Sequence, residues 1–138
     1  MYEKILVPVD LAHTDRLAKA LDTAADLSKQ YGIPLCYTAV TASTPGAVAN
    51  TPEEFGQKLQ AFAQSEAERV DLHRAESHTI IDPDPVADLS KKLIKAAHEE
   101  GCDLIVMASH VPGVQEHFFE SNAGKVSLHA DVSVFVVR

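Results

Sequence analysis

A chain of 138 residues with 46% hydrophobic and 23% charged side chains has the size and makeup of one ordinary globular domain. Its formal charge of −8, from 12 Lys and Arg against 20 Asp and Glu, and the lack of a basic run leave no footprint for a clamp on a nucleic-acid backbone. The longest apolar stretches, residues 104–108 and 134–137, fall far short of the roughly 20 residues of a membrane helix. The opening Met-Tyr-Glu-Lys-Ile lacks the apolar core and cleavage site of a secretory leader, so a soluble, cytoplasmic protein is expected.

Residues 4–9, Lys-Ile-Leu-Val-Pro-Val, read as a first strand buried on both faces and ending at Asp10. Leu17, Leu21, Ala24 and Ala25 then share one helical face, with Thr14 as the expected cap and Gly32 closing the end. Residues 33–40 give a second strand, and residues 41–50, rich in Ser, Thr, Pro, Gly and Ala, a mobile loop. Thr51-Pro52-Glu53-Glu54 is a helix start: a capping hydroxyl, proline at the first helical position, and Glu three residues past the cap. Phe55, Leu59, Phe62 and Ala63 mark the buried face of this second helix, with Val70 as an extension.

A third strand is expected over residues 77–81. Asp82-Pro83-Asp84-Pro85 then turns the chain into a third helix with Val86, Leu89, Leu93 and Ala97 inward, stopped by Gly101. Residues 103–108 form a fourth buried strand, 109–120 an irregular segment, 121–129 a short helix and 132–137 a last strand. Five strands alternating with four helices, with no repeat or linker, argue for a single α/β domain over residues 1–138: a doubly wound parallel sheet with helices on both faces.

Ligands of such sheets gather at the carboxyl ends of the strands, near the switch in strand order. That singles out Asp10, Val40 and the stretch from Ala108 to Ala123. At the mouth of a crevice Asp10 could accept hydrogen bonds from ribose hydroxyls; its plainer role is a turn with Leu11, Ala12 and His13. The segment Met107-Ala108-Ser109-His110-Val111-Pro112-Gly113, followed by Ser121-Asn122-Ala123 opening a helix, is a candidate anion site, because free N–H groups at a helix start suit phosphates. The plainer role is a connecting loop with Ser121 capping the helix.

Other chemistries find no support. Asp10 has no acidic neighbour and the last strand no lysine, as a receiver domain would need. Leu11-Ala12-His13-Thr14 is not the His-x-Gly-His loop of an adenylyl transferase. The seven histidines show no His-Glu-x-x-His or His-x-His spacing, so no metal is expected, and Cys36 and Cys102 read as buried thiols packing as small hydrophobes. No general base is evident, so no catalytic residue is expected; hydrolysis of a bound nucleotide would be slow at most.

The opening Lys-Ile-Leu-Val-Pro-Val-Asp, the stretch Gly-Cys-Asp-Leu-Ile-Val-Met-Ala-Ser-His and the ending from Ser121-Asn122-Ala123 to Val-Phe-Val-Val-Arg occur in the order found in the universal stress protein family. The sequence resembles that family along its whole length, and its small bacterial subgroup with a compact loop most of all. The resemblance implies strand order 3-2-1-4-5, an ATP cleft, with magnesium possible beside the phosphates, and pairing of two copies through the last strand, residues 132–137. Carried over, Val9 and Asp10 match positions that hold adenine and ribose, and Val40 the residue whose backbone reads the adenine edge. Met107 and Ala108 match the start of the phosphate loop, His110 and Val111 its middle, and Ser121, Asn122 and Ala123 the segment that meets the phosphates.

The family writes this loop as Gly-x-x-Gly, nine residues, then Gly-Ser or Gly-Thr. Here Ala108 and Val111 replace the first two glycines, the spacing is one residue shorter, and Glu120 stands where the glycine before Ser121 belongs. Unit charges ~4 Å apart repel by about 1 kcal/mol in water and by several times that in a drier crevice, so Glu120 opposes a triphosphate. Two expectations follow: a dimeric stress protein holding an adenine nucleotide as a regulatory ligand, or a dimeric module that has lost the nucleotide and works on an unidentified protein through its acidic second helix and the loop before it. The valines at 132, 134, 136 and 137 with Phe135 make an uncharged edge suited to pairing with its copy.

Overall fold

The computed structural model describes residues 1–72, 74–109 and 120–138, with residues 120 and 121 described by backbone alone. Among the described residues, strands β1 (Ile5–Pro8), β2 (Leu35–Thr41), β3 (Ala75–Ile81), β4 (Leu104–Ala108) and β5 (Ser133–Val137) form one parallel sheet in the order β3-β2-β1-β4-β5. Helices α1 (Ala18–Tyr31), α2 (Pro52–Arg69), α3 (Leu89–Glu99) and α4 (Glu120–His129) supply the crossovers. Both α1 and α4 pack on β4 and β5, so they occupy opposite faces. Arg69 of α2 reaches Asp22 of α1 at 2.8 Å, placing those two helices side by side, while α3 packs on α4 across the sheet. This is the expected doubly wound architecture with order 3-2-1-4-5.

β1 and β4, the apolar runs of the sequence, lie at the centre, and Ile5, Leu6, Val7, Ile105, Val106 and Met107 are essentially inaccessible. Helix faces complete the core: Leu21 and Ala24 from α1, Phe55 and Leu59 from α2, Leu93 and Ala97 from α3, Val126 from α4. Cys36 and Cys102 are free and buried, as expected of small apolar thiols. The hydrogen bond from Cys36 to Cys102, together with burial, holds the Cys36 thiol protonated.

Gly32 ends α1 at φ +65°, with its N–H on the carbonyl of Lys29 and that of Ile33 on Ser28, a closure that glycine reaches without steric cost. At α2 the Thr51 hydroxyl accepts the Glu54 N–H at 3.1 Å, as the sequence signature predicts, while the Glu54 carboxylate reaches back to the Asn50 N–H at 3.2 Å. α2 stops at Arg69, with Val70 as its C-cap rather than a further turn.

Several starts differ from the sequence reading, β2 among them, which begins at Leu35 rather than at residue 33. Thr14 caps nothing: residues Thr14–Leu17 form a 3-10 turn and α1 begins at Ala18, because a tight turn from Asp10 to His13 leaves only a short turn in which to bury Leu17. Val86 does not face the core but is 54% exposed. The Asp82 carboxylate accepts the Asp84 N–H at 2.9 Å and pairs with Lys92 at 3.3 Å, which extends the turn and delays α3 to Leu89. The same N–H bond, with help from Lys92, holds the Asp82 carboxyl below the usual carboxylate range. β3 starts two residues early, at Ala75, where it continues the register with β2.

Candidate functional site

The strand order reverses around β1, whose neighbours are β2 and β4. β1 ends at Pro8, opposite Thr38, while β2 runs on to Thr41, so the sheet has a step at its carboxyl edge. Hydrogen bonding in a parallel ladder alternates sides along the strand. On β2 the Leu35 N–H and the Thr41 carbonyl bond toward β3 and its extension, and the Thr38 carbonyl accepts from Val9 at 2.8 Å on the β1 side. The same alternation turns the N–H and C=O of Val40 toward β1, past that strand's end.

Over this step lies a cavity of about 230 Å³ bordered by Val9, Asp10 and Val40, three of the residues singled out in the sequence. Its walls are largely apolar: Ala39 and Val40 from the sheet, Val48 and Ala49 from the loop after β2, Phe55 from α2 and Val86 from the turn before α3. Gly46 N–H to Ala49 C=O at 2.9 Å folds the loop, and the Lys58 ammonium of α2 donates to the Val48 carbonyl. An apolar slot with peptide groups on one rim suits a flat heteroaromatic ring.

Asp10 supplies the negative charge at the rim. Its carboxylate accepts the Ala12 N–H at 3.0 Å and pairs with His13 Nδ1 at 2.9 Å, and its side chain retains 15% exposure. The turn-forming role read from the sequence is therefore real. A carboxylate offers about four acceptor directions, so these two bonds leave room for a hydroxyl pair.

The later candidates fall elsewhere. Met107 and Ala108 end β4 beside β1 but are 0% and 5% exposed, and Ala123 is 2% exposed within the core, so their side chains serve packing. Asn122, also buried, borders a different cavity of about 630 Å³ between α3 and α4, which among the described residues shares only Val86 with the first. His110 and Val111 lie outside the described residues, as does the side chain of Ser121. Among the described residues no group of three His, Cys, Asp or Glu is arranged to hold a metal ion, and no helix is long and apolar enough to cross a membrane.

Sequence reasoning missed the walls made by Val48, Ala49, Phe55 and Val86. The first two sat in a stretch without period, Phe55 was assigned to the core alone, and Val86 to the buried face of α3. The doublet Asp-Pro-Asp-Pro, whose side chains favour turns over helix, was the signal that could have freed Val86.

The model of the universal stress protein family matches residues 1–138. Universal stress protein G of Shigella flexneri is 29% identical, with both chains covered in full. Two solved structures share the fold. The universal stress protein of Archaeoglobus fulgidus in complex with dAMP has a TM-score of 0.67 at 22% identity over 99% of this chain and 98% of its own. A universal stress protein in complex with cAMP has a TM-score of 0.70 at 17% identity over 99% and 97%. By the match of the whole chain to the family model, this protein belongs to the universal stress protein family.

Proposed function

We propose that this protein is a cytoplasmic stress-response protein that binds ATP or a related adenine nucleotide as a regulatory ligand. The observation that carries the reading is the cavity at the step between β1 and β2, where Val9, the Asp10 carboxylate and the peptide groups of Val40 converge over apolar walls. The base enters between those walls, its edge on the Val40 backbone, and the ribose hydroxyls meet Asp10. The phosphates run past the end of β4, at Met107 and Ala108, over His110 and Val111 toward Ser121, Asn122 and Ala123 at the start of α4, where the helix dipole favours anions. Two relatives in the family hold dAMP and cAMP, which supports an adenine ligand here. The nucleotide acts by occupancy, with hydrolysis slow at most.

Calorimetric titration with ATP, with and without magnesium, tests this. The parent protein binds, Asp10→Ala weakens binding by about tenfold or more, the worth of one charged hydrogen bond, and Glu120→Gly tightens it. A second reading is favoured by Glu120 and by the Asp10 carboxylate already serving its own turn: a module that has lost the nucleotide and acts through α2 and the loop before it. Binding by Glu120→Gly but not by the parent selects that reading. Silence from both removes the assignment of the cleft.

Either way the protein works as a homodimer paired through β5. That strand has β4 on one side and forms the sheet edge on the other, with Phe135 45% exposed. A two-fold pairing covers the edge. Gel filtration at low micromolar concentration gives a dimer, and a clean monomer defeats the pairing.

A further inference from the structure

Asp10 is held by its own turn. The His13 N–H donates to the Asp10 carbonyl at 3.0 Å and the Arg16 N–H to the His13 carbonyl at 3.1 Å, so the backbone that carries the imidazole is fixed on both sides. The ring then turns back toward the strand end. Its Nδ1 lies 2.9 Å from Oδ2 of Asp10, while the Ala12 N–H donates to Oδ1 at 3.0 Å. Each carboxylate oxygen thus has one donor of its own, and together the two donors fix the rotation of the group about its Cβ–Cγ bond. A carboxylate only accepts, so the imidazole proton of this pair sits on Nδ1 and the bond is charge-assisted.

His13 does not border the cavity over the β1–β2 step. Asp10 and Leu11 do, and the His13 side chain is 39% exposed. The pair therefore runs from solvent to the rim of the slot, imidazole outward and carboxylate inward. Among the described residues no other cationic side chain is paired with Asp10. The remaining acceptor direction of each oxygen is left to a ligand, with its bearing set before the ligand arrives. An acceptor ordered in advance loses less freedom on binding.

We infer that His13 is a positioning residue for the sugar of the bound nucleotide, acting through Asp10. The inference rests on the nucleotide reading of the cleft and adds to it the group that aims the carboxylate at the ribose hydroxyls. Without the imidazole, only the Ala12 N–H restrains that carboxylate, and binding must bear the cost of ordering it. The role calls for a donor at the place of Nδ1 rather than for an imidazole as such. An asparagine carries its amide nitrogen the same number of bonds from the backbone, so His13→Asn keeps the aim and His13→Ala loses it.

Calorimetry with ATP and with its dideoxy analogue, which lacks both ribose hydroxyls, tests this. His13→Ala weakens ATP binding by about fivefold, and His13→Asn recovers most of the loss. Toward the dideoxy analogue the parent and His13→Ala agree within about twofold, because Asp10 then has no hydroxyl to meet. A merely structural role would weaken both nucleotides alike. Four results overturn the inference and leave the nucleotide reading standing: equal losses for the two nucleotides, no effect of His13→Ala on ATP, no recovery in His13→Asn, or tighter binding by His13→Ala, which would make the imidazole a competitor of the ligand. Absence of binding of both nucleotides by the parent overturns the nucleotide reading, and this one with it.

Discussion

Truncating Ile105 to alanine should cost about 2–5 kcal/mol of stability, a large part of the 5–15 kcal/mol typical of a domain. Ile105 is fully buried on β4, opposite Leu6 of β1 and Val134 of β5. The substitution removes three buried carbons at the centre of the sheet, where the surroundings collapse only in part. Alanine is also a weaker strand former than the β-branched residue it replaces. Urea unfolding should show a lower midpoint with an unchanged slope, since the folded surface stays the same. A loss below about 1 kcal/mol would mean that the centre of this sheet is loosely packed.

Tyr37→Phe should act in the opposite direction, with a gain of about 1–2 kcal/mol. Tyr37 is wholly buried on β2, and among the described residues its hydroxyl has no hydrogen-bond partner. The ring packs edge-on against Phe62 with centroids 5.3 Å apart, a contact that phenylalanine keeps. Burial, reinforced by the nearby Glu66 charge and opposed by Arg69, pushes the phenol above its ordinary value of 10.0. A raised folded value means that stability is held in full below the unfolded value and drains away as pH climbs above about 10. The phenylalanine variant lacks this alkaline loss, so thermal unfolding of the two proteins should diverge further at pH 11 than at pH 8.

Much of this fold could be read from the chain. β1 and β4 announce themselves as continuous apolar runs because strands covered on both faces need no polar alternation. Thr51 and Gly32 were legible because helix ends impose local demands that few residues meet. The turn at Asp82 was not: Pro85 signals a helix start, but the bond from the Asp84 N–H and the pull of Lys92, ten residues on, decide where α3 begins. Strand order came from family likeness, since periodicity does not say which strands are neighbours.

The site divides in the same way. Asp10 and Val40 could be found because a parallel sheet presents its strand ends at one edge. The walls from Val48, Phe55 and Val86 come from three separate segments, and no local pattern records that they meet. Met107 and Ala123 illustrate a further lesson: a position matched to a motif can be occupied by a side chain devoted to the core.

The overrun of β2 past β1 carries a consequence for how this hollow can evolve. The groups of Val40 that face the slot are main-chain atoms, so exchanging that valine for a larger or smaller aliphatic residue reshapes the depth of the recess and leaves its polar rim untouched. Selectivity is thereby split between two independent sources: contour, which single codon changes can tune, and donor–acceptor order, which is inherited from strand pairing and resists drift.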